Sequence, residues 1–165
     1  MIDYPVTPAV RVLRERNVEF EPHLYEYAER GGTRHSAESL DVSEHAVVKT
    51  LVMETGERKA LIVLMHGDCE VSTKQLARRL GVKTVRPCDP AAAQKHTGYV
   101  VGGTSPLGTR AALPVYAERT IFELPRIYIN GGKRGFLVSL DPKVLRELLP
   151  VEEVEVATDD AGGQV

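Results

Sequence analysis

Two apolar runs, "AVVKTLVMET" (residues 46–55) and "KALIVLMHG" (residues 59–67), decide the expected fold. Both are rich in β-branched and aliphatic residues, which is typical of strands. Only "GER" (residues 56–58) separates them, and a connection this short joins antiparallel neighbours. The sequence therefore predicts a β-hairpin, and the rest of the chain is interpreted around it.

Helices and further strands are expected on both sides of this hairpin. Helical patterns occur in "TPAVRVLRERN" (7–17), "STKQLARRLG" (72–81), "DPAAAQKHTG" (89–98) and "DPKVLRELLP" (141–150), with shorter ones in "SAESL" (36–40) and "SEHAVV" (43–48). Strands are expected in 18–27, near 99–102, 113–116, 127–130 and 136–140, and at an edge in "EEVEV" (152–156). The elements do not alternate as in a doubly wound sheet, so the predicted fold class is α+β: helices around a curled, mostly antiparallel mixed sheet.

Length and composition are those of one globular domain. With 165 residues and 42% hydrophobic content, the chain is expected to form a single domain over residues 1–157. The acidic, glycine-containing end, residues 158–165, is expected to be disordered. The N-terminus lacks a signal-peptide pattern and no apolar run approaches the ~20 residues of a membrane helix. We therefore expect a cytoplasmic protein with free thiols at Cys69 and Cys88.

The net charge of −2 conceals an uneven distribution. Residues 58–146 carry 15 Lys and Arg against 6 Asp and Glu, whereas both flanking segments are acidic. A central segment at +9 permits a basic surface and a polyanionic partner. A mosaic of solvated surface charges would give the same composition, so composition alone does not require such a partner.

Lys49 stands inside the first run of the hairpin, where the neighbouring residues except Thr50 are apolar. A buried ammonium group is costly unless an anion meets it, so the position indicates an anion-binding lysine. The alternative is that Lys49 lies on an exposed strand face or extends its ammonium group to solvent.

Two glycine pairs interrupt predicted strands, in "GYVVGGTSPLG" (98–108) and "IYINGGKRG" (127–135). Glycine within a strand pattern marks a bulge or a close approach by a ligand or another backbone segment. Free backbone N–H groups at such a place can hold a carbonyl oxygen that develops negative charge. We expect the two loops to form one pocket for a small acyl group, although ordinary turns would explain either pair alone.

Several other chemistries are not supported by the sequence. "GGTSPLG" is neither a Walker loop nor GxGxxG, which argues against nucleotide triphosphates. The five histidines form no HExxH motif and no ligand spacing with the cysteines, so neither a metal nor another cofactor is expected. Ser105 lacks the GxSxG frame of a nucleophile. An enzyme here would act through backbone amides, a lysine and the substrate's own groups.

These motifs together resemble the YbaK/EbsC family of aminoacyl-tRNA deacylases, which are relatives of the editing domain of bacterial prolyl-tRNA synthetases. The similarity covers about residues 6–150 and is carried by "TPAVRVL", "VVKTL", "DPAAAQKHTGYVVGGTSPLG" and "IYINGGKRG" in the family's order. The resemblance implies helices around a curled sheet. It also implies metal-independent hydrolysis of the ester that joins a wrong amino acid to the tRNA 3′ end.

The resemblance also implies site residues. Lys49 is similar to the family's essential lysine, and Gly103 with Gly102 would offer amides to the ester carbonyl. The other pocket residues implied are Tyr25, Thr50, Thr104, Ser105, Asn130, Gly131, Gly132 and Leu137. Lys133 and Arg134 would meet acceptor-stem phosphates.

The chain departs from the cysteinyl-tRNA(Pro) deacylase branch of the family at two pocket positions. That branch has a serine before the second glycine loop and an aspartate after it, where this chain has Asn130 and Leu137. The expected substrate is therefore Cys-tRNA(Pro) or another small amino acid, such as alanine or serine, on tRNA(Pro). Prolyl-tRNA synthetase is a candidate partner. The alternatives are a non-catalytic module that binds tRNA or a synthetase, and a hydrolase of other small esters or amides.

Overall fold

The computed structural model describes residues 3–158. Five α-helices are present in this part of the chain: α1 (Pro8–Glu15), α2 (Gly32–Leu40), α3 (Thr73–Leu80), α4 (Pro90–Thr97) and α5 (Lys143–Leu148). Its strands are β1 (Glu21–Leu24), β2 (Val47–Thr55), β3 (Ala60–His66), β4 (Glu70–Val71), β5 (Val85–Pro87), β6 (Val115–Glu118), β7 (Ile127–Lys133), β8 (Phe136–Leu140), β9 (Val151–Val154) and β10 (Ala157–Thr158). Within residues 3–158, no helix has the length and apolar character needed to span a membrane.

Eight of these strands form one mixed sheet in the order β1-β8-β7-β2-β3-β6-β9, with β5 paired to β2. The pairs β1·β8, β7·β8, β2·β3 and β2·β5 are antiparallel, and β2·β7, β3·β6 and β6·β9 are parallel. β4 and β10 form a separate antiparallel pair. The predicted α+β fold with a mostly antiparallel mixed sheet is confirmed.

The predicted hairpin lies at the centre of the sheet. β2 and β3 pair from Val48↔His66 to Glu54↔Ala60. Successive residues of β3 belong to different hydrophobic clusters. Ile62 and Leu64 pack on the side of α1, while Leu61, Val63 and Met65 pack on the side of α3. Because both faces of β3 are covered, this strand is a continuous apolar run from Ala60 to Met65 rather than an alternation of apolar and polar residues.

The predicted helix ends are confirmed where local chemistry determines them. The side chains of Thr7, Ser72 and Asp89 each accept a hydrogen bond from a backbone N–H in the first turn of the following helix. Gly81 and Gly98 end α3 and α4 with φ of +71° and +82°, a conformation that glycine adopts without strain.

The strand expected near residues 99–102 is absent from the described structure. Tyr99 is buried and its hydroxyl donates to the Leu107 carbonyl at 2.6 Å, while Val100 and Val101 are exposed. The Gly103 N–H donates to the Val100 carbonyl at 2.9 Å and closes a turn. The segment is thus anchored by one aromatic side chain and has no neighbouring strand to pair with.

Several further boundaries differ from the sequence-based expectation; α2, for example, begins at Gly32 rather than at Ser36. In "SEHAVV" only Glu44–Ala46 form a 3-10 turn, and β2 begins at the β-branched Val47. The strand expected over 18–27 is limited to Glu21–Leu24, which is where β8 offers a partner. Thr158 pairs with Glu70 in β10 instead of starting a tail. The rest of the expected disordered tail, residues 159–165, lies outside the described residues.

Candidate functional site

Lys49 lies within β2 and is largely covered. It pairs with Met65 of β3, and its side chain is 18% exposed. The ammonium nitrogen Nζ lies 3.5 Å from Oε1 of Glu70, which begins β4. A mostly covered ammonium group needs an anionic partner, and among residues 3–158 Glu70 is the acid that forms an ion pair with it.

Thr50 does not join Lys49. It pairs with Leu64, which belongs to the cluster packed under α1, so its side chain points to the opposite face of the sheet. Its hydroxyl oxygen is buried without a hydrogen-bond partner among the described residues. The structure therefore places Thr50 against the core and separates it from the lysine next to it.

The two glycine loops touch each other. A Cβ atom added at Gly103 would lie 2.8 Å from the backbone nitrogen of Arg134 and 3.1 Å from the carbonyl carbon of Lys133. Real Cβ atoms do not approach backbone so closely, so this contact requires glycine. The two loops therefore lie against each other, and the expectation that they form a pocket for a small acyl group stays a prediction.

Asn130 bridges the loops. Its Nδ2 donates to the Gly102 carbonyl at 3.0 Å, and its Oδ1 accepts from the N–H groups of Gly132 at 2.7 Å and Lys133 at 3.1 Å. A bulge between Asn130 and Lys133 turns these amides toward the side chain. Asn130 is therefore engaged on both its amide oxygen and its amide nitrogen.

Lys49 and this junction lie on the same face of the sheet. β2 and β7 are parallel, and the register pairs Val48 with Ile129. If this parallel register continues by one residue, Lys49 and Asn130 lie opposite each other on strands about 5 Å apart, and their side chains point to the same face of the sheet. The lysine and the loop held by Asn130, including Gly102, therefore belong to one surface.

The two glycines of the first loop differ in whether their backbone N–H group has a hydrogen-bond partner. The N–H of Gly103 is used in the turn with Val100. Gly102 has φ of +86° and is exposed, and its N–H has no hydrogen-bond partner within residues 3–158. In this conformation the N–H group of Gly102 is the open one, whereas the family resemblance favoured Gly103 for the contact with an ester carbonyl.

Three other predicted pocket residues make contacts inside the loops. Ser105 is fully buried, and its Oγ accepts from the Leu107 N–H at 3.1 Å. The Thr104 hydroxyl donates to the Val100 carbonyl at 3.2 Å. Gly131 packs against the ring of Phe136, and its carbonyl accepts from the Thr7 hydroxyl. These contacts fix the shape of the loops.

An apolar wall stands on the same face of the sheet as Lys49. Leu137 is 4% exposed, is paired with Asn130 across β7 and β8, and clusters with Ala37 and Val47. Tyr25 packs against this cluster, and burial raises the pKa of its hydroxyl. A leucine here leaves the wall without the carboxylate of the cysteinyl-tRNA(Pro) deacylase branch.

Exposed cations lie beside the junction. Lys133 and Arg134 form no ion pair with another described residue. The Arg134 guanidinium lies 5.1 Å from the centre of the Tyr27 ring, and its Nε donates to the Val101 carbonyl at 2.8 Å. Residues 90–117, which contain the first loop, include no Asp or Glu. The surface around the contact between the two glycine loops therefore carries an excess of positive charge.

Three side chains close to β4 could hold a metal ion. Ligand atoms of His45, Asp68 and Cys69 all lie within 4.8 Å of one another. They already bond to each other, with His45 Nδ1 2.8 Å and the Cys69 thiol 3.5 Å from the same Asp68 oxygen. Burial raises the pKa of Cys69 to about 12, so an ion bound here would have to displace the thiol proton. The sequence spacing did not indicate this group, because tertiary contacts assemble it.

Sequence reasoning missed Glu70 and Tyr27. Glu70 follows the hairpin in "GDCEV", and only the folded path of β4 brings it to Lys49. Tyr27 could have been found from "YEY", because residues two apart in an extended segment share a face with each other.

Two surface cavities of about 480 and 740 Å³ lie elsewhere on the protein. The first is lined by residues of α3 and β9, among them Arg78 and Glu153. The second is lined by residues 16–21 together with parts of β8 and α5. Neither is lined by Lys49 or by the glycine loops.

The comparisons with known proteins identify the family. The model of the aminoacyl-tRNA editing domain matches residues 32–148. The chain belongs to this family. The matched range contains Lys49, both glycine loops and Glu70. The resemblance inferred from the motifs is thereby confirmed.

Relatives in this family include free-standing proteins and parts of synthetases. The chain is 27% identical over 155 residues to EbsC of Enterococcus faecalis, which bears the name Cys-tRNA(Pro)/Cys-tRNA(Cys) deacylase; the match covers 93% of this chain and 94% of EbsC. It is 32% identical over 97 residues to the proline–tRNA ligase of Trichlorobacter lovleyi, covering 59% of this chain but only 17% of the ligase. The chain thus corresponds to one part of such ligases.

Solved structures agree in fold. A structure described as a trans-editing enzyme for prolyl-tRNA synthetase matches with a TM-score of 0.77 at 21% identity, over 92% of this chain and 98% of that chain. A hypothetical protein, APE2540, matches with a TM-score of 0.82 at 21% identity, over 91% and 99%. At this level of identity the similarity shows a common fold.

Proposed function

We propose that this protein is a trans-acting deacylase that hydrolyses the ester of mischarged tRNA as a single domain over residues 1–157. Membership of the aminoacyl-tRNA editing family supports the reaction class. The observation that carries the proposal is the shared face of Lys49 and the loop junction at Asn130 and Gly102. This face would present a cation and an open backbone amide to a substrate that carries an ester near a phosphate.

The chemistry needs no protein nucleophile. A water oxygen attacks the carbonyl carbon and gives up a proton, the carbon–oxygen bond to the tRNA breaks, and the leaving ribose oxygen takes a proton to become a hydroxyl while the amino acid leaves with its carboxyl group. The Gly102 N–H can stabilise the carbonyl oxygen as it gains charge, and Lys49 can hold the phosphate or hydroxyl groups of the terminal nucleotide. An aminoacyl ester is already reactive, so orientation and charge stabilisation account for the catalysis we propose, without a metal.

The proposed substrates carry small side chains. Leu137, Val47 and Ala37 form an apolar wall that suits the uncharged side chains of cysteine, alanine or serine. The name of EbsC and the match to proline–tRNA ligases support tRNA(Pro) as the carrier. We place the reaction in the cytoplasm, with prolyl-tRNA synthetase as a candidate partner.

Lys133 and Arg134 are the proposed tRNA contacts. They are exposed, unpaired with acids among the described residues, and located on the loop that touches Gly103. Phosphate contacts of this kind release counterions, so affinity should fall steeply with salt.

The test is a deacylation panel. Purified protein is mixed with Cys-, Ala- and Ser-tRNA(Pro), and ester loss is timed against buffer alone and against correctly charged Pro-tRNA(Pro). We expect at least one mischarged ester to be cleared faster than the correct one. Salt-sensitive tRNA binding without acceleration of any ester would contradict the proposal and identify a binding module. Equal acceleration of free aminoacyl esters that lack tRNA would indicate a general esterase.

A further inference from the structure

Only one of the two carboxylate oxygens of Glu70 has a partner among residues 3–158. Its Oε1 lies 3.5 Å from the Lys49 ammonium, while its Oε2 has no partner within residues 3–158. The Glu70 side chain is 62% exposed, whereas that of Lys49 is 18% exposed. The pair therefore has its cation covered and a free carboxylate oxygen open to solvent, where a second cation can reach it.

The main chain under Glu70 is fixed by the C-terminal strand. Thr158 pairs with Glu70, and its hydroxyl donates to the Glu70 carbonyl at 3.3 Å. On the other side of β4, the Ser72 N–H donates to the Val156 carbonyl at 2.8 Å. The backbone position of this acid relative to β2 is thus set by the fold, independently of its ion pair.

Other groups at the site do not offer a free carboxylate. The predicted pocket side chains Tyr25, Asn130 and Leu137 carry none. Asp68, the acid two residues before Glu70, accepts from His45 Nδ1 at 2.8 and 3.1 Å and from the Cys69 thiol. Among residues 3–158, Glu70 is the acid that contacts Lys49 and keeps an oxygen unoccupied.

We infer that Glu70 binds the α-ammonium group of the aminoacyl ester; this inference rests on the proposed function. The substrate carries a phosphate and an α-ammonium group a few bonds either side of the ester. Amino groups of this type titrate near 7.7–8.0, so they are mostly charged at neutral pH. Lys49 and Glu70 present the two complementary charges next to each other. Holding the ammonium group orients the carbonyl between them, and it selects aminoacyl esters over esters without the amine.

The experiment compares two esters that differ only in this amine. Nitrous acid converts Ala-tRNA(Pro) into lactyl-tRNA(Pro), which replaces the ammonium group by a hydroxyl of similar size. Single-turnover hydrolysis of each, divided by its spontaneous rate, is measured for wild type, Glu70→Gln and Glu57→Gln. Glu57 is a matched control because it is an exposed acid paired with Lys59 at 3.7 Å, in the hairpin turn.

The wild type should accelerate the alanyl ester more than the lactyl ester. Glu70→Gln should reduce the alanyl rate about 10- to 100-fold, the scale of one hydrogen bond to a charged group, and leave the lactyl rate unchanged. Equal acceleration of both esters by the wild type, or an equal loss of both in Glu70→Gln, would overturn the inference and leave the deacylase proposal intact. Acceleration of neither ester by the wild type, together with no clearance of Cys- or Ser-tRNA(Pro) in the panel, would instead count against the deacylase proposal itself.

Discussion

Asn130 shows how much one side chain contributes to the candidate site. It holds the Gly102 carbonyl with its amide nitrogen and the N–H groups of Gly132 and Lys133 with its amide oxygen. The family resemblance implied Asn130 as a pocket residue but could not show this bridging, because its partner in the first loop, Gly102, is 28 positions away. The contacts of Asn130 are therefore known only from the fold.

His66 is the residue whose titration should be visible in stability. Its Nδ1–H donates to the His45 carbonyl at 2.7 Å, and its Nε2 accepts from the Thr120 hydroxyl at 2.7 Å. Both nitrogens are thus matched to the neutral ring, and burial lowers the pKa of His66 below its ordinary value of 6.5. The nearby ring of His45 stacks at 3.7 Å and adds to the cost of a proton there.

A pH titration of stability tests this assignment. Below the ordinary pKa of about 6.5 the unfolded chain binds the proton first, so the free energy of unfolding should fall as the pH drops through the lowered folded value. His66→Gln should be less stable than wild type at about pH 7.5, and its free energy of unfolding should change less between about pH 7.5 and about pH 5.5. His96→Gln is the control, and urea midpoints are the measurement. Equal pH slopes in all three proteins would contradict the assignment.

At the scale of elements, the contact between the glycine loops depends on Gly103. Alanine there would push a Cβ to 2.8 Å from the Arg134 nitrogen. We expect Gly103→Ala to cost about 1–3 kcal/mol of unfolding free energy and to separate the loops, with loss of deacylation. Gly81→Ala is the matched control: its φ of +71° makes alanine cost about 1–2 kcal/mol, yet nothing lies within 4 Å.

Urea unfolding and single-turnover deacylation measured on both variants separate stability from function. We expect similar losses of stability and a loss of activity in Gly103→Ala alone. Retention of full activity by Gly103→Ala would show that contact between the loops is not needed.

Local elements could be predicted from the sequence, and contacts between elements could not. The caps at Thr7, Ser72 and Asp89 depend on residues within one turn, and the β2–β3 hairpin on two adjacent runs, so both were predicted correctly. Residues 99–102 have an apolar pattern but no strand partner, which only the complete sheet shows. The opposite faces of Lys49 and Thr50 could have been predicted, because consecutive residues of a strand point to opposite faces of the sheet.

At the scale of the molecule, the fold brings together groups from distant parts of the chain. β7 pairs with β2, so the register sets Asn130 beside Lys49, and β10 pairs with β4, whose Glu70 forms an ion pair with the same lysine. The positive surface near Lys133 and Arg134 adjoins this place. One face thus combines a covered cation, an open amide and an acid, and it adjoins an exposed basic surface.

The most direct measurement is the rate at which Lys49→Ala clears the best ester of the panel, compared with wild type and with Lys59→Ala. Lys59 is a matched control because its side chain is 78% exposed in the same hairpin, paired with Glu57. If Lys49 holds the substrate beside the Gly102 amide, its removal should lower the single-turnover rate about 100-fold while Lys59→Ala stays near wild type. A folded Lys49→Ala protein that keeps the wild-type rate to within about threefold would contradict the account.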